Sequence, residues 1–419
     1  MRIFLAAHVY PVSVPAIAGG AVAVDDGRIV RVGSRDEVVG ALGGGAAVHD
    51  LGRAALLPGL VNAHTHLELS WMREAGLPRG DYVAWLRALL EARATADRER
   101  AAEAAAREIA SLVARGTVAV GDVSNEGWIA PLVARSPLHG VLFHEIYGLD
   151  PERAERALEA AAELLDALAR DPHVAAAGGR LCLALTPHAP HTTSAPLLRA
   201  LGGRAAAARA PLSIHVAESE AEVLWLARGA GPLLELFRER GFVTEDWRPP
   251  ERSPVEHLKR SGVLSPATLA VHCVHLDQRD HSSLQAARAT VVACPRSNAA
   301  LGVGKAPVPA LMREGIPVAL GTDSLASAPD LDLFAEMGAL RRDHPELSPA
   351  AVLRMATLNG ARALGLDDRL GSIEPGKLAE LIVIPLADDV AHPLDAICDG
   401  PPRVYRLDDA VRELAGAGS

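Results

Sequence analysis

Lysine is nearly missing from this 419-residue chain: only Lys259, Lys305 and Lys377 occur, and arginine supplies the rest of the 42 basic residues. No amine side chain is therefore available to a site built before Lys259. Cysteine is also scarce, at four, which excludes a disulfide framework and fits a reducing compartment such as the cytoplasm. Excess positive charge is absent. A net charge of −10 argues against nucleic acid or an anionic membrane as partner and leaves a small-molecule substrate. No apolar run reaches membrane-spanning length. Residues 1–7 are apolar enough to suggest a signal segment, but the run breaks at His8 and is read as folded strand. No Gly-x-Gly-x-x-Gly follows an early strand, which disfavours an open doubly wound sheet.

What the chain has is a repeating alternation. Hydrophobic residues make up 49% of it, enough for a large core. The first fifty-odd residues read as short strands, with Asp25-Asp26-Gly27 as a hairpin turn between 21–24 and 28–33. Apolar strands follow near 60–66, 117–122, 140–146, 180–186, 211–217, 268–274, 289–294 and 316–322. Helical stretches separate them, including 101–114, 151–169, 195–207 and 330–342. Eight such units predict an α/β fold, a (β/α)8 TIM barrel over residues 58–367, with catalytic residues at the C-terminal strand ends. Strand character returns at 381–384, after the 371–377 segment. Residues 1–57 and 368–419 are thus expected to form one small β-sandwich domain from both chain ends. A long insert, about 229–262, is expected near the barrel mouth as a lid or partner surface.

Polar residues cluster where the barrel strands end. The first strand ends in His64-Thr65-His66, and residues i and i+2 of a strand share a face. The fifth ends in His215 with Glu218 three residues on, the sixth in His272, and the eighth in Asp323. Imidazoles and a carboxylate form a borderline-soft donor set suited to one Zn²⁺, or to Fe²⁺. A metal so bound brings the pKa of a coordinated water near 7.

The run Pro58 to His66, His215-Val216-Ala217-Glu218, His272-Cys273-Val274-His275, Cys294-Pro295-Arg296-Ser297-Asn298 and Gly321-Thr322-Asp323-Ser324 together resemble the amidohydrolase superfamily. They look most like its mononuclear branch of cytosine, guanine, S-adenosylhomocysteine and aminofutalosine deaminases and triazine chlorohydrolases. The resemblance implies metal ligation by His64, His66, His215 and Asp323. It gives Glu218 the role of proton shuttle to the ring nitrogen, and His272 that of hydrogen-bonding the reacting oxygen. Asp323 would also accept the proton of the attacking water. Binuclear relatives bridge two metals with a modified lysine ahead of the fifth strand, and no lysine precedes Lys259. A lysine-bridged centre is thereby excluded. So is a cytidine-deaminase type of zinc site, because no Pro-Cys-x-x-Cys accompanies His66-Leu67-Glu68.

Substrate contacts are carried by weaker signals. Thr186-Pro187-His188-Ala189-Pro190-His191 resembles a substrate-contacting segment of nucleoside-directed members, which implicates His188. Glu68 and Trp71 could touch substrate, Glu145 could accept ribose hydroxyls, and Arg296 could pair with a substrate carboxylate. His275 is expected to orient the site from behind. Structural readings compete: Trp71 as core, Arg296 as an internal ion pair. The insert, the Thr322–Ser327 segment and the Cys294–Asn298 motif look most like aminofutalosine deaminases of menaquinone biosynthesis, whose substrate carries a benzoate. Alternatives are a guanine, cytosine or S-adenosylhomocysteine/methylthioadenosine deaminase, a triazine chlorohydrolase, and an inactive barrel that only binds. The resemblance points to a homodimer.

Overall fold

The computed structural model describes residues 1–243, 247–388, 390–401 and 403–415. Eight parallel strands lie where the apolar runs predict them: Leu60–Thr65, Thr117–Ser124, His139–Ile146, Leu181–Pro187, Leu212–Val216, Thr268–His272, Thr290–Ala293 and Val318–Leu320. They pair in chain order as two runs of four. The first two of these strands are buried along their whole length, as a parallel sheet covered on both faces requires. The runs join where the His215 amide donates to the His188 carbonyl at 3.0 Å, and where Thr65 bridges Asp323. This is the expected TIM barrel.

Helices fill the predicted intervals, among them Arg98–Ala114, Ala154–Ala169, Ala195–Ala208 and Leu333–Asp343. The last is capped by Asp332, whose carboxylate accepts from the Phe334 amide at 2.9 Å. Among the described residues no helix is long and apolar enough to cross a membrane.

The terminal strands form one seven-stranded sheet. Its hairpin turns at Asp26 and Gly27 with φ of 46° and 71°, the pair of positive values that a tight hairpin of this hand needs. Strand Leu381–Pro385 pairs antiparallel with Ala54–Pro58, tying the tail to the N-terminal strands. Alternation along Arg2–Val9 sends Phe4 and Ala6 to one face and Ile3 and Leu5 to the other. Helix Leu407–Ala415 packs on the first face through Leu407 and Ala410, and helix Arg35–Leu42 on the second through Val38. This small β domain thus carries one of these helices on each face of its sheet.

The chain packs as two compact units, residues 1–62, 111–119 and 332–419 in one, and 63–110 and 120–331 in the other. In the first unit, helix Leu333–Asp343 is held to the tail by Arg341, which pairs with Asp395 and Asp399 at 2.5 and 2.7 Å. All the candidate site residues belong to the second unit.

Candidate metal centre and active site

Strand-end geometry brings the predicted ligands together. Gly321 makes this close approach feasible, since a Cβ there would lie 2.8 Å from both the Cβ and the carbonyl oxygen of His64. The amides of Thr322 and Asp323 then both donate to that carbonyl, at 3.0 and 3.1 Å. Three site positions sit in left-handed backbone: Ala217 at φ 52°, His272 at 71° and Asp323 at 58°. Each such residue costs about 1–3 kcal/mol, so the surroundings must enforce it. Glu222 does so for one of them, its buried carboxylate accepting from the Ala217 and Glu218 amides at 3.1 and 2.9 Å.

The His66 Nε2 atom lies 3.2 Å from the Nε2 atoms of both His64 and His215. Asp323 Oδ1 is 3.8 Å from His64 Nε2 and 3.7 Å from His66 Nε2. Burial holds His64 and His66 neutral, His66 pushed down to about 3. His215 donates its Nδ1 hydrogen to the His188 carbonyl at 3.0 Å, so its Nε2 presents a lone pair. One hydrogen on His66 cannot serve two nitrogen neighbours well, whereas a cation among the three can. A tetrahedral metal with nitrogen bonds of about 2.0–2.1 Å has ligand edges of about 3.3–3.4 Å, close to these separations. The donor set fits a divalent metal.

Glu218 and His272 flank this point. His272 Nδ1 donates to Asn298 Oδ1 at 2.9 Å, and its Nε2 lies 3.7 Å from Glu218 Oε1. Burial pushes Glu218 up to about 8, against the opposing pull of His215. Burial would raise Asp323, but His272, His66 and the Ser297 hydroxyl bring it below the usual carboxylate value. Ser297 and Ser327 donate to its Oδ2 at 2.5 and 2.9 Å, leaving Oδ1 toward the histidines.

The amidohydrolase family model matches residues 55–405, which is most of the chain. The chain belongs to the amidohydrolase family. It is 34% identical over 381 residues to a 5-methylthioadenosine/S-adenosylhomocysteine deaminase of Syntrophobacter fumaroxidans, covering 87% of this chain and 80% of that protein. It is 33% identical over 338 residues to an aminodeoxyfutalosine deaminase of Deinococcus radiodurans, covering 76% and 75%. An adenosine deaminase from Xanthomonas campestris, solved with bound zinc, superposes with a TM-score of 0.77 at 27% identity, covering 97% of this chain and 91% of that one. This amidohydrolase is a hydrolase acting on carbon–nitrogen bonds.

The structure also places the remaining expected site residues. Arg296 bonds Asp330 at 2.6 and 2.9 Å, the internal ion pair that competes with the substrate-carboxylate reading. Helix Pro295–Leu301 explains why, since successive residues on a helix point in different directions. Ser297 and Asn298 turn to the site and Arg296 to Asp330. Glu145 is buried, its Oε1 3.5 Å from His215 Nδ1. Glu68 is also buried and satisfied, by Ser124 Oγ at 2.7 Å and by the Asn125 amide. Trp71 packs with Leu69, Met72 and Leu89. His275 donates to the Val303 carbonyl at 2.8 Å. His188 does sit at the site: its ring is 5.1 Å from that of His215, and its Nδ1 is 2.7 Å from Thr192 Oγ1. Sequence reading missed Glu222, Ser297, Asn298 and Ser327 as site residues. Ser297, Asn298 and Ser327 stood inside motifs already singled out; nothing in the spacing of Glu222 marks it as the acceptor for the Ala217 and Glu218 amides.

The expected insert is in part helical, with Pro232–Glu239 and Pro254–Arg260, while residues 244–246 lie outside the described residues. Leu233, Leu234, Leu236 and Phe237 pack with Trp225, and Tyr82 and Val83 lie against that cluster.

Proposed function

We propose that this amidohydrolase removes the exocyclic amine of a purine nucleoside, releasing ammonia and leaving a carbonyl. The observation that carries the reading is the meeting of His64, His66, His215 and Asp323 at one point, with a buried carboxyl, Glu218, and His272 beside it. A divalent metal, zinc by preference, would be held by those four residues and would supply Lewis-acid activation of the attacking water. Asp323 Oδ1 faces the ligands and takes a proton from that water. Glu218, kept protonated near neutral pH by burial, gives its proton to the ring nitrogen beside the reacting carbon. His272, fixed by Asn298, hydrogen-bonds the incoming oxygen through Nε2. The proton on Asp323 then leaves with the amine as ammonia. Collapse to the carbonyl returns the hydroxyl proton to Glu218. His188 stands beside His215 as a substrate contact.

Two substrate readings remain within this class. Aminofutalosine is supported by the motif resemblance and by the 33% identical Deinococcus relative. A 5′-thioether adenine nucleoside is favoured by the engagement of Arg296 with Asp330 and by the 34% identical Syntrophobacter relative. Ammonia release from a panel of aminofutalosine, methylthioadenosine, S-adenosylhomocysteine, 5′-deoxyadenosine, guanine and cytosine tests this. Turnover of adenine nucleosides at a kcat/KM at least tenfold above the free bases is expected. Preference for guanine or cytosine would reject the nucleoside reading, and absence of turnover by zinc-loaded protein would reject the enzyme reading.

A further inference from the structure

Two serines from separate motifs meet one oxygen of Asp323. Ser297 lies in helix Pro295–Leu301, and Ser327 follows Asp323 by four residues. The Ser327 and Ala328 amides both donate to the Ser324 carbonyl, at 3.1 and 2.7 Å, and this turn folds the chain back over Asp323. The Ser297 hydroxyl donates to Asp323 Oδ2 at 2.5 Å and the Ser327 hydroxyl to the same oxygen at 2.9 Å. The two hydroxyl oxygens are 2.8 Å apart, and all three residues are buried. Arg296 and Asp330 join the same two segments through bonds of 2.6 and 2.9 Å. The main chain of Asp323 is fixed separately: its amide donates to the His64 carbonyl at 3.1 Å, and its carbonyl accepts from Thr65 Oγ1 at 3.1 Å. What could still turn is the carboxyl, whose terminal torsion is broad and nearly two-fold.

We infer that Ser297 and Ser327 act as one clamp on Asp323 Oδ2, which leaves Oδ1 alone to meet the metal and the attacking water; both serines are positioning residues. The inference rests on the deaminase reading. A half-turn of the carboxyl would exchange its two oxygens at little cost if nothing told them apart. Here Oδ2 receives two hydroxyl hydrogens, while Oδ1 stands 3.8 Å from His64 Nε2 and 3.7 Å from His66 Nε2. Bonds from a hydroxyl to a carboxylate are roughly twice as strong as neutral ones, so the clamp resists that half-turn. It also keeps Oδ2 from a second bond to the same cation, and a catalytic metal needs an open position for water. When Oδ1 takes the water's proton, Oδ2 becomes the carbonyl-type oxygen and still accepts from both serines. The proton thus stays on the side from which the amine departs. Each hydroxyl carries a single hydrogen. Ser327 Oγ also lies 3.3 Å from the Ser324 carbonyl oxygen, so its hydrogen is the less committed of the two.

The test measures zinc affinity by chelator competition, and kcat and KM of zinc-loaded protein, in Ser297→Ala, Ser327→Ala and the double variant. Ser297→Ala should lose about 10- to 100-fold in both zinc affinity and kcat, the range for an outer partner of a metal ligand. Ser327→Ala should lose less, about three- to tenfold, because its bond is longer and its hydrogen is shared. Removal of Ser297 leaves Ser327 as the one remaining donor of the clamp, so the double variant should lose more than the product of the single losses. KM should stay within about twofold, since the clamp acts on Asp323 and not on substrate. Ser327→Thr, which keeps the hydroxyl, should recover most of what Ser327→Ala loses. Zinc affinity and kcat of Ser297→Ala within about twofold of the parent overturn the inference, as does a loss confined to KM. A double variant that merely multiplies the single losses overturns it too, as does a Ser327→Thr as impaired as Ser327→Ala. If the parent releases no ammonia from any substrate of the panel, the deaminase reading has failed, while the zinc affinities still decide whether the serines hold the metal ligand.

Discussion

Two buried polar clusters share His215 and differ in how they use their donors and acceptors. On one side, Glu68, Asn125, Arg93 and Glu145 bond mostly to one another. Ser124 and the Asn125 amide serve Glu68, Asn125 Nδ2 donates to Glu145 Oε2 at 2.9 Å, and Arg93 bonds Asn125 Oδ1 at 3.1 Å. On the other side, the nitrogens of His64, His66 and His215 and one oxygen of Asp323 turn toward a common point instead of pairing off. Two of their outer atoms are bonded: Nδ1 of His215 to a carbonyl, and Oδ2 of Asp323 to two serines. Buried polar atoms are costly unless matched, so acceptors left facing each other mark the place where a ligand completes the set. The first cluster is largely closed, with Glu145 Oε1 as its exception, and the open one is the candidate site.

The sharpest way to break this contrast is His64→Ala, which should leave the purified protein with little bound metal and little activity, read by elemental analysis beside ammonia release. Metal retained at one equivalent would remove His64 from the open cluster. Glu218→Gln should keep the metal yet lose about 10²–10⁴ in kcat, the span of a lost general acid–base group. Near-parental turnover would end the shuttle role. Glu145→Gln probes the boundary between the clusters. Its carboxylate stands behind His215, and such outer partners are worth about 10- to 100-fold in metal affinity, measurable by competition with a chelator. An unchanged affinity would place Glu145 wholly in the scaffold.

Acid should act on the metal-free protein through the open cluster. Burial, with neighbouring histidines, lowers His64, His66 and His188 below their ordinary value of 6.5, and burial lowers His272 as well. Between 6.5 and about 3, the value for His66, these histidines therefore bind more protons in the unfolded chain than in the fold, and their contribution to stability falls as pH drops. The carboxyls of Glu68, Asp122, Glu145 and Glu218, raised by burial, act in the opposite sense above the ordinary glutamate value of 4.5. Denaturant melts of chelator-treated protein should therefore show the decline emerging as pH drops toward and below 4.5, and saturating zinc should reduce it. The smallest effect belongs to Arg296→Ala. Because Arg296 is engaged with Asp330, KM values for carboxylated and uncharged nucleosides should shift equally, by less than about twofold. A selective loss of the carboxylated substrate would restore Arg296 to the substrate wall.

The eight strand positions were legible because a buried parallel strand writes itself as a short apolar run, and each run ended near its predicted place. The residues His64, His66, His215, His272 and Asp323 were legible for the same reason: a polar residue ending an apolar strand is conspicuous. Helices and loops were harder to read. Arg296 drew the eye through its charge, yet its neighbours Ser297 and Asn298 reach the site. Glu145 was correctly placed on a strand end, but whether it faced a substrate or the back of His215 depended on Asn125.

The sequence by itself determined the donor types, their order along eight strand ends and the absence of an early lysine that could bridge two metals. Those are local properties, set by alternation and apolar run length. Only the tertiary structure decided that Arg296 meets Asp330 and that Ser297 orients Asp323. These partners lie far apart in sequence. No backbone period relates them, and only the packing of helices and loops at the strand ends brings them within hydrogen-bonding distance.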